Sequence, residues 1–344
     1  MKSTLNIFTV FLSILLFFPS NGRSQQEEEK LVKIPEEVKS VMELNLPARE
    51  PRPDIPLSYS KTFYFPYQDD YYTVFLFTIE NKALGYTAPF IPEEKKEDSE
   101  KGLQEKEIQD REQMLSCEID FFFRIYSLGE DGQPKDVHKE IYLPYGDRVS
   151  SNDYDPDEEN VYSFGTIFPP GRYLLCAAAA SLDLTEIGLV FQEFHLPSPS
   201  DFRKNLSLTP LFFVKSLKSI PSPDSEIVLY KNIFHYATLE IEPYTDHRFT
   251  PQEKLDILYF ILGLKQGEDG KFDFEVSYLY RKGEEEIVKF EPRVENVPAP
   301  IVSIPLGLSF KDKILEPGEY MLEISIKDQN SKREGRDSVG FILK

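Results

Sequence analysis

One phrase occurs twice in this chain. Leu-x-Pro-Gly-x-Tyr-x-Leu-x-Ile stands at Leu315, Pro317, Gly318, Tyr320, Leu322 and Ile324, and a degenerate copy at Phe168, Pro170, Gly171, Tyr173, Leu175 and Ala177. A Pro-Gly pair sets a turn, and strict apolar alternation after it has the two-residue period of a strand buried on one face. A tyrosine at the head of such a strand suits a corner, where its hydroxyl bonds back to the chain just traversed. Two copies predict two similar units, with Tyr173 and Tyr320 as corner tyrosines.

The length of 344 residues accommodates that count, because two units of ordinary size can each bury a core without metal or disulfide help. Residues 1–24 read as a signal peptide. Lys2 is the positive end, Ile7 to Phe18 the apolar stretch, and Pro19 to Ser24 a small-residue exit, with cleavage after Ser24 favoured over cleavage after Gly22. A twelve-residue apolar stretch is too short to span a bilayer, so no transmembrane span is expected in the mature chain. Removing this segment takes away Lys2 and Arg23 and no acid, which leaves 37 of the 39 basic residues against 59 acidic ones. Nucleic acid and anionic lipid are poor partners for so acidic a surface, whereas solubility through self-repulsion, a cationic partner or bound calcium is compatible with it.

Residues 25–57 form a charged leader interrupted by Pro35, Pro47, Pro51, Pro53 and Pro56, with room for one short helix near Glu36 to Leu44. The first unit is expected over 58–196. Its strands are Lys61–Phe65, Tyr71–Glu80, Cys117–Leu128, Lys139–Leu143, Tyr162–Phe168, Arg172–Leu182 and Gly188–Leu196. A linker, 197–207, leads to the second unit, 208–344. There the candidates are Leu211–Leu217, Glu226–Tyr230, Tyr236–Ile241, Leu255–Leu264, Phe272–Arg281, Glu286–Phe290, Ile301–Leu308, Glu319–Lys327 and Ser338–Leu343. If Tyr71 corresponds to Leu255 and Ile119 to Phe272, the first unit carries 31 extra residues between these landmarks. They coincide with a charged segment, 92–115, which reads as an inserted loop outside the core.

Few residues point to chemistry. Cys117 and Cys176 are the two cysteines of an exported chain, which favours a disulfide; it would close a 60-residue loop worth ~4 kcal/mol in the chain-entropy model. Strand phase argues for the alternative of two buried thiols, because Cys117 shares the inward phase of Ile119 while Cys176 is out of phase with Tyr173. Asp153, Asp155 and Asp157 place carboxylates at every second position of an acidic loop and are the calcium candidates, with a solvated loop as the plainer reading. The four histidines are scattered, and no nucleophile elbow, phosphate loop or zinc signature occurs, so an enzyme is not expected.

The 27 Phe and 19 Tyr with no Trp are the remaining anomaly. Leu255 to Leu264 is apolar on both faces, and Phe122 lies on the side of its strand opposite the core. Such faces are either covered by the other unit or the leader, or offered to a partner; Phe122, Leu255, Ile257 and Tyr259 mark the candidate interface.

At its Pro-Gly-x-Tyr corners the chain resembles fibronectin type III and related immunoglobulin-like modules, over about the last 30 residues of each unit. The wider layout is similar to exported bacterial proteins associated with the GWxTD motif, which a chain without Trp lacks. The resemblance implies an all-β architecture of two tandem antiparallel β-sandwiches after a signal peptide and leader, located in the periplasm or outside the cell. The expected function is non-enzymatic binding of an envelope protein, with a glycan bound on tyrosine platforms, aided by calcium, as the alternative.

Overall fold

The computed structural model describes residues 33–88, 114–310 and 313–344. The expected signal peptide and most of the charged insertion lie outside these residues, although Met114 and Leu115 at its end already belong to a strand.

Helix α1 (Glu36–Asn45) follows Pro35, has Glu36 and Glu37 in its first turn, and ends just before Pro47. Acids at the N-terminus complement the helix dipole, and a proline beyond the end prevents its continuation. Val38 and Met42, four apart, form its buried stripe. The strands of the first half are β1 (Arg52–Pro53), β2 (Ser58–Tyr67), β3 (Asp70–Glu80), β4 (Met114–Leu128), β5 (Pro134–Ser150), β6 (Glu159–Phe168), β7 (Gly171–Ala180) and β8 (Ile187–Leu196). All seven strands expected in 58–196 are present.

The second half contains β9 (Ser207–Leu208), β10 (Phe212–Ser219), β11 (Tyr230–Lys231), β12 (Phe234–Tyr236), β13 (Leu239–Pro243), β14 (Arg248–Phe249), β15 (Lys254–Leu262) and β16 (Phe272–Lys282). After these come β17 (Glu285–Lys289), β18 (Arg293–Val297), β19 (Ile301–Gly307), β20 (Ser309–Phe310), β21 (Lys313–Ile314), β22 (Gly318–Asp328) and β23 (Glu334–Leu343). The single strand expected over Tyr236–Ile241 is instead a hairpin, because Ala237 adopts φ 51° and reverses the chain between β12 and β13. The expected strand Glu226–Tyr230 shrinks to β11. Strand β18 was not anticipated; as a largely exposed edge strand it carries little apolar signal.

Among the described residues the fold is all-β apart from α1 and a 3₁₀ turn at Asn81–Leu84, and its sheets pack face to face. Sheet I has the order β1-β8-β7-β4-β5, sheet II β11-β6-β3-β2, sheet III β12-β13-β10-β15-β19 and sheet IV β14-β23-β22-β16-β17. One core lies between sheets I and II, around Phe75, Phe121, Phe123 and Phe164. A second lies between III and IV, around Ile257, Tyr259, Tyr278 and Leu322. The same strand order recurs in both pairs: β2-β3-β6 matches β10-β15-β19, and β8-β7-β4-β5 matches β23-β22-β16-β17.

Both corners have the expected geometry. Tyr173 donates its hydroxyl to the Pro169 carbonyl at 3.0 Å, and Tyr320 to the Glu316 carbonyl at 2.7 Å. Registering the halves on these tyrosines pairs Tyr173 with Ser127 and, by continuation of the ladder, Tyr320 with Lys282. Ile119 then corresponds to Phe274, two residues beyond the expected Phe272. A two-residue slip keeps every side chain on its face, so alternation alone could not detect it.

Two further apolar layers complete the stack. Sheets II and III pack through Phe63, Phe65, Val74, Phe212, Phe234 and Phe260. Helix α1 lies on the outer face of sheet I, where Val38 and Met42 meet Phe122, Leu174, Cys176 and Leu189. Arg124 of β4 ties the helix down through Glu43 at 2.6 Å and also pairs with Glu140 at 2.9 Å. This explains why β7 is buried on both faces along most of its length. Beyond the helix, Ile55 approaches sheet I so closely that a Cβ at Gly188 would sit 1.9 Å from the Ile55 carbonyl oxygen.

Met42 is completely buried. Met42→Ala should therefore lower the unfolding free energy by about 2–4 kcal/mol in urea titrations. A chain beginning at residue 50 should bind a hydrophobic dye on the uncovered Phe122 face; absence of dye binding by such a folded chain would contradict this role for the helix.

Candidate functional site at the junction of the sheet pairs

The faces expected as an interface are internal. Phe122 is 1% exposed, stacked on Tyr142 with ring centroids 5.1 Å apart beneath α1. Leu255, Ile257 and Tyr259 lie in the core between sheets III and IV, where the hydroxyls of Tyr259 and Tyr278 are 3.0 Å apart. Strand β15 is apolar on both sides because Leu258 and Phe260 face sheet II. Of the two alternatives, coverage by the other half and by the leader is the one observed, and these residues are not an open docking surface.

The cysteines are free and buried on opposite faces of sheet I, Cys117 toward sheet II and Cys176 toward α1. Strand β4 pairs Arg124 with Cys176, so Cys117 lies seven residues further along, about 23 Å at strand rise. That separation is far beyond disulfide reach. Burial pushes both thiols up, so they stay protonated at neutral pH. Alkylation of the denatured, unreduced protein should add two labels per chain, whereas the native protein should resist labelling; a denatured chain that takes none would refute the two free thiols.

The three aspartates do not converge on a cation site. Asp155 Oδ1 accepts the Asp157 N–H at 3.0 Å, and Asp157 pairs with Lys82 at 2.9 Å. Among the described residues no group of three or more His, Cys, Asp or Glu side chains is placed to hold a metal ion. The loop is instead held by Asn81, which donates to the Asp155 carbonyl at 2.8 Å and to Glu158 Oε2 at 3.0 Å. Asn81 in turn accepts from Asn160 at 2.7 Å, and Asn160 from Asn232 at 3.3 Å. This amide ladder links the acidic loop to a segment of the second half.

That segment, residues 220–233, crosses the junction. Its strand β11 adds to the edge of β6 through Tyr230↔Ser163 and Lys231↔Tyr162. Asn232 Oδ1 accepts the Val161 N–H at 2.9 Å. Lys231 donates to Asp147 Oδ2 at 2.8 Å, and the same oxygen accepts from Tyr86 at 2.7 Å. Burial would raise the Asp147 carboxyl, but hydrogen bonds from Lys231, Tyr86 and the Arg148 N–H outweigh it and hold the group below its ordinary 3.8. A depressed carboxyl stabilises the fold above its unfolded pKa and loses that contribution as pH falls through the folded value. Asp147→Asn should therefore cost about 1–2 kcal/mol near pH 7, and its difference from wild type should shrink steadily below pH 4 in pH-resolved denaturant titrations.

Beside the aromatic layer lies a cleft of about 460 Å³. Sheet II contributes Tyr67, Tyr72, Gly165, Thr166 and Ile167, the neighbouring β5 contributes Lys139, and the crossing segment with β12 contributes Asp224, Glu226, His235 and Tyr236. Tyr72 lies directly over Gly165: a Cβ there would be 2.1 Å from the Tyr72 hydroxyl and 2.3 Å from Cζ. Its ring centroid is 5.9 Å from that of Tyr236, whose hydroxyl donates to the Pro66 carbonyl at 3.0 Å. Lys139 donates to Thr166 Oγ1 at 2.7 Å. His235 Nδ1 stands 2.9 Å from Asp224 Oδ2, Nε2 stands 3.6 Å from Glu240, and the ring packs on Tyr230 at 4.2 Å. Burial raises the Tyr72 hydroxyl, with Asp224 adding to the effect, so it stays neutral and able to donate.

Neither a family model nor a curated protein matches this chain. His235, one of the four scattered histidines, belongs to no metal-ligand spacing in the sequence, and the other cleft residues fit no site motif. The usable signal is Gly165, a glycine inside a strand, which marks a close approach.

Proposed function

We propose that the protein is an exported, non-enzymatic binding protein of the bacterial cell envelope, whose immunoglobulin-like, fibronectin type III-like halves hold another envelope component in the cleft between them. Export is supported by the charged, apolar and small-residue order of residues 1–24. The module type is supported by the corner tyrosines and the repeated strand order. The observation that carries the binding reading is a concave, polar and aromatic site to which both halves contribute, since such sites concentrate at domain boundaries. The apolar sheet faces first expected to bind are used up in holding the stack together, so the reading rests on the cleft instead.

The test compares chain 25–344 with its Gly165→Val variant, whose branched side chain displaces Tyr72 into the cleft. Each is cross-linked in envelope extract, and the captured protein and sugar are identified. Capture by the wild type that falls at least fivefold in the variant, at an unfolding midpoint showing that both are folded, is the expected result. Equal capture by both removes the cleft as the binding site.

A further inference from the structure

Resting on that reading, we propose that the ligand of the junction cleft is a saccharide, a short run of pyranose rings, seated on Tyr72 and held at its hydroxyls by Asp224, Lys139 and Thr166.

The cleft has an apolar floor and polar walls. A pyranose ring has the complementary form, with a face of C–H groups and a rim of hydroxyls that both donate and accept. Tyr72 supplies the floor. Because Gly165 lacks a side chain, the ring lies flush on the sheet instead of standing across the cleft. Flat aromatic area of this kind contributes binding at low entropic cost, since the ring is already held.

The walls are prepared as well. Asp224 is an acceptor oriented by His235 at 2.9 Å, and Thr166 carries a hydroxyl already engaged by Lys139 at 2.7 Å. Gln68 and Glu226 stand at the rim. A site so equipped has both donors and acceptors for a hydroxyl rim. The volume of about 460 Å³ falls within the range of ~300–1,000 Å³ usual for small-ligand sites.

Other ligand classes match less well. Phosphorylated ligands meet Asp224 and Glu226, with Lys139 as the only Lys or Arg among the described residues of the lining. An acyl chain would leave Asp224, Thr166 and Lys139 facing hydrocarbon, at a desolvation cost of several kcal/mol. A basic peptide satisfies the acids and can stack its cations on Tyr72, but it meets the like charge of Lys139, and it is the alternative that the experiment separates.

The Asp147–Lys231 ion pair is a positioning element for this site. It anchors the crossing segment that carries Asp224 and His235, although neither partner lines the cleft.

Isothermal titration of chain 25–344 with trimers of β-1,4-linked N-acetylglucosamine, β-1,4-linked glucose and α-1,4-linked glucose tests the proposal. Binding of at least one trimer is expected. Asp224→Asn and Tyr72→Leu should each weaken it tenfold or more, Lys231→Met by a smaller factor, and Lys327→Gln on sheet IV should leave it unchanged. Asp224 is exposed, so its variant keeps the test valid if Tyr72→Leu fails to fold.

Absence of binding by all three trimers overturns the saccharide assignment, as does binding insensitive to Asp224→Asn. If sugars do not bind but a captured envelope protein or peptide is lost in Gly165→Val, the saccharide class falls and the cleft reading stands. If nothing captured depends on Gly165, both fall.

Discussion

The aromatic layer between sheets II and III sets the geometry of the whole molecule. Phe65 packs against Phe212 at 6.1 Å, Phe234 at 5.9 Å, Tyr236 at 4.6 Å and Phe260 at 5.9 Å, while Phe63 meets Phe212 at 4.3 Å. Each such contact adds ~0.5–1.5 kcal/mol beyond area burial, and all of them require sheets II and III to meet in one register. With the sheets fixed in this way, the two pairs cannot rotate freely about residues 197–207. That connection is itself tied: Tyr71 donates to the Pro197 carbonyl, and Arg333 donates to the carbonyls of Phe202 and Gly263. A composition rich in proline and serine here marks a boundary in the chain without making a hinge.

The consequence is a stack in which sheets I, II and III are each covered on both faces. A sandwich standing alone would show alternating strands, with one face wet. In this chain β7 and β15 are nearly uninterrupted apolar runs, and Phe122, Leu258 and Phe260 are the residues that look surplus in a one-sandwich reading. Their excess reflects what covers them. The same logic accounts for the high aromatic content, because four apolar layers need more large side chains than two.

Much of this was legible before the structure. The strands of the first half, the helix near residue 36 and both corner tyrosines follow from period, turn chemistry and proline placement, all of which are local signals. The errors fall where local signals lose meaning. Ile119 was matched two residues early because face alternation is blind to even slips. Strand β18 was missed because a solvated edge need not be apolar. The two cysteines were correctly phased to opposite faces, and the disulfide that a cysteine count favours was the weaker inference. Asp153, Asp155 and Asp157 looked like ligands in one dimension, but backbone bonds and Lys82 had already engaged that loop.

The cleft was illegible for a different reason. Its residues come from β3, β5, β6, the crossing segment and β12, and they meet only because β11 adds to the edge of β6. Strand addition of this kind stabilises through backbone hydrogen bonds, which carry no sequence signature. The side chains that secure it are few and polar: Asn232 on Val161, Lys231 on Asp147, and the ladder through Asn160 to Asn81. Asn81 and Asn160 are buried and must remain paired, and with the half-buried Lys231–Asp147 pair they hold the crossing segment in a single arrangement. Aromatic packing therefore fixes where the two halves meet, and this polar fastening fixes the wall that closes one side of the gap beyond. On the binding function proposed above, recognition would rely on a site formed before its ligand arrives.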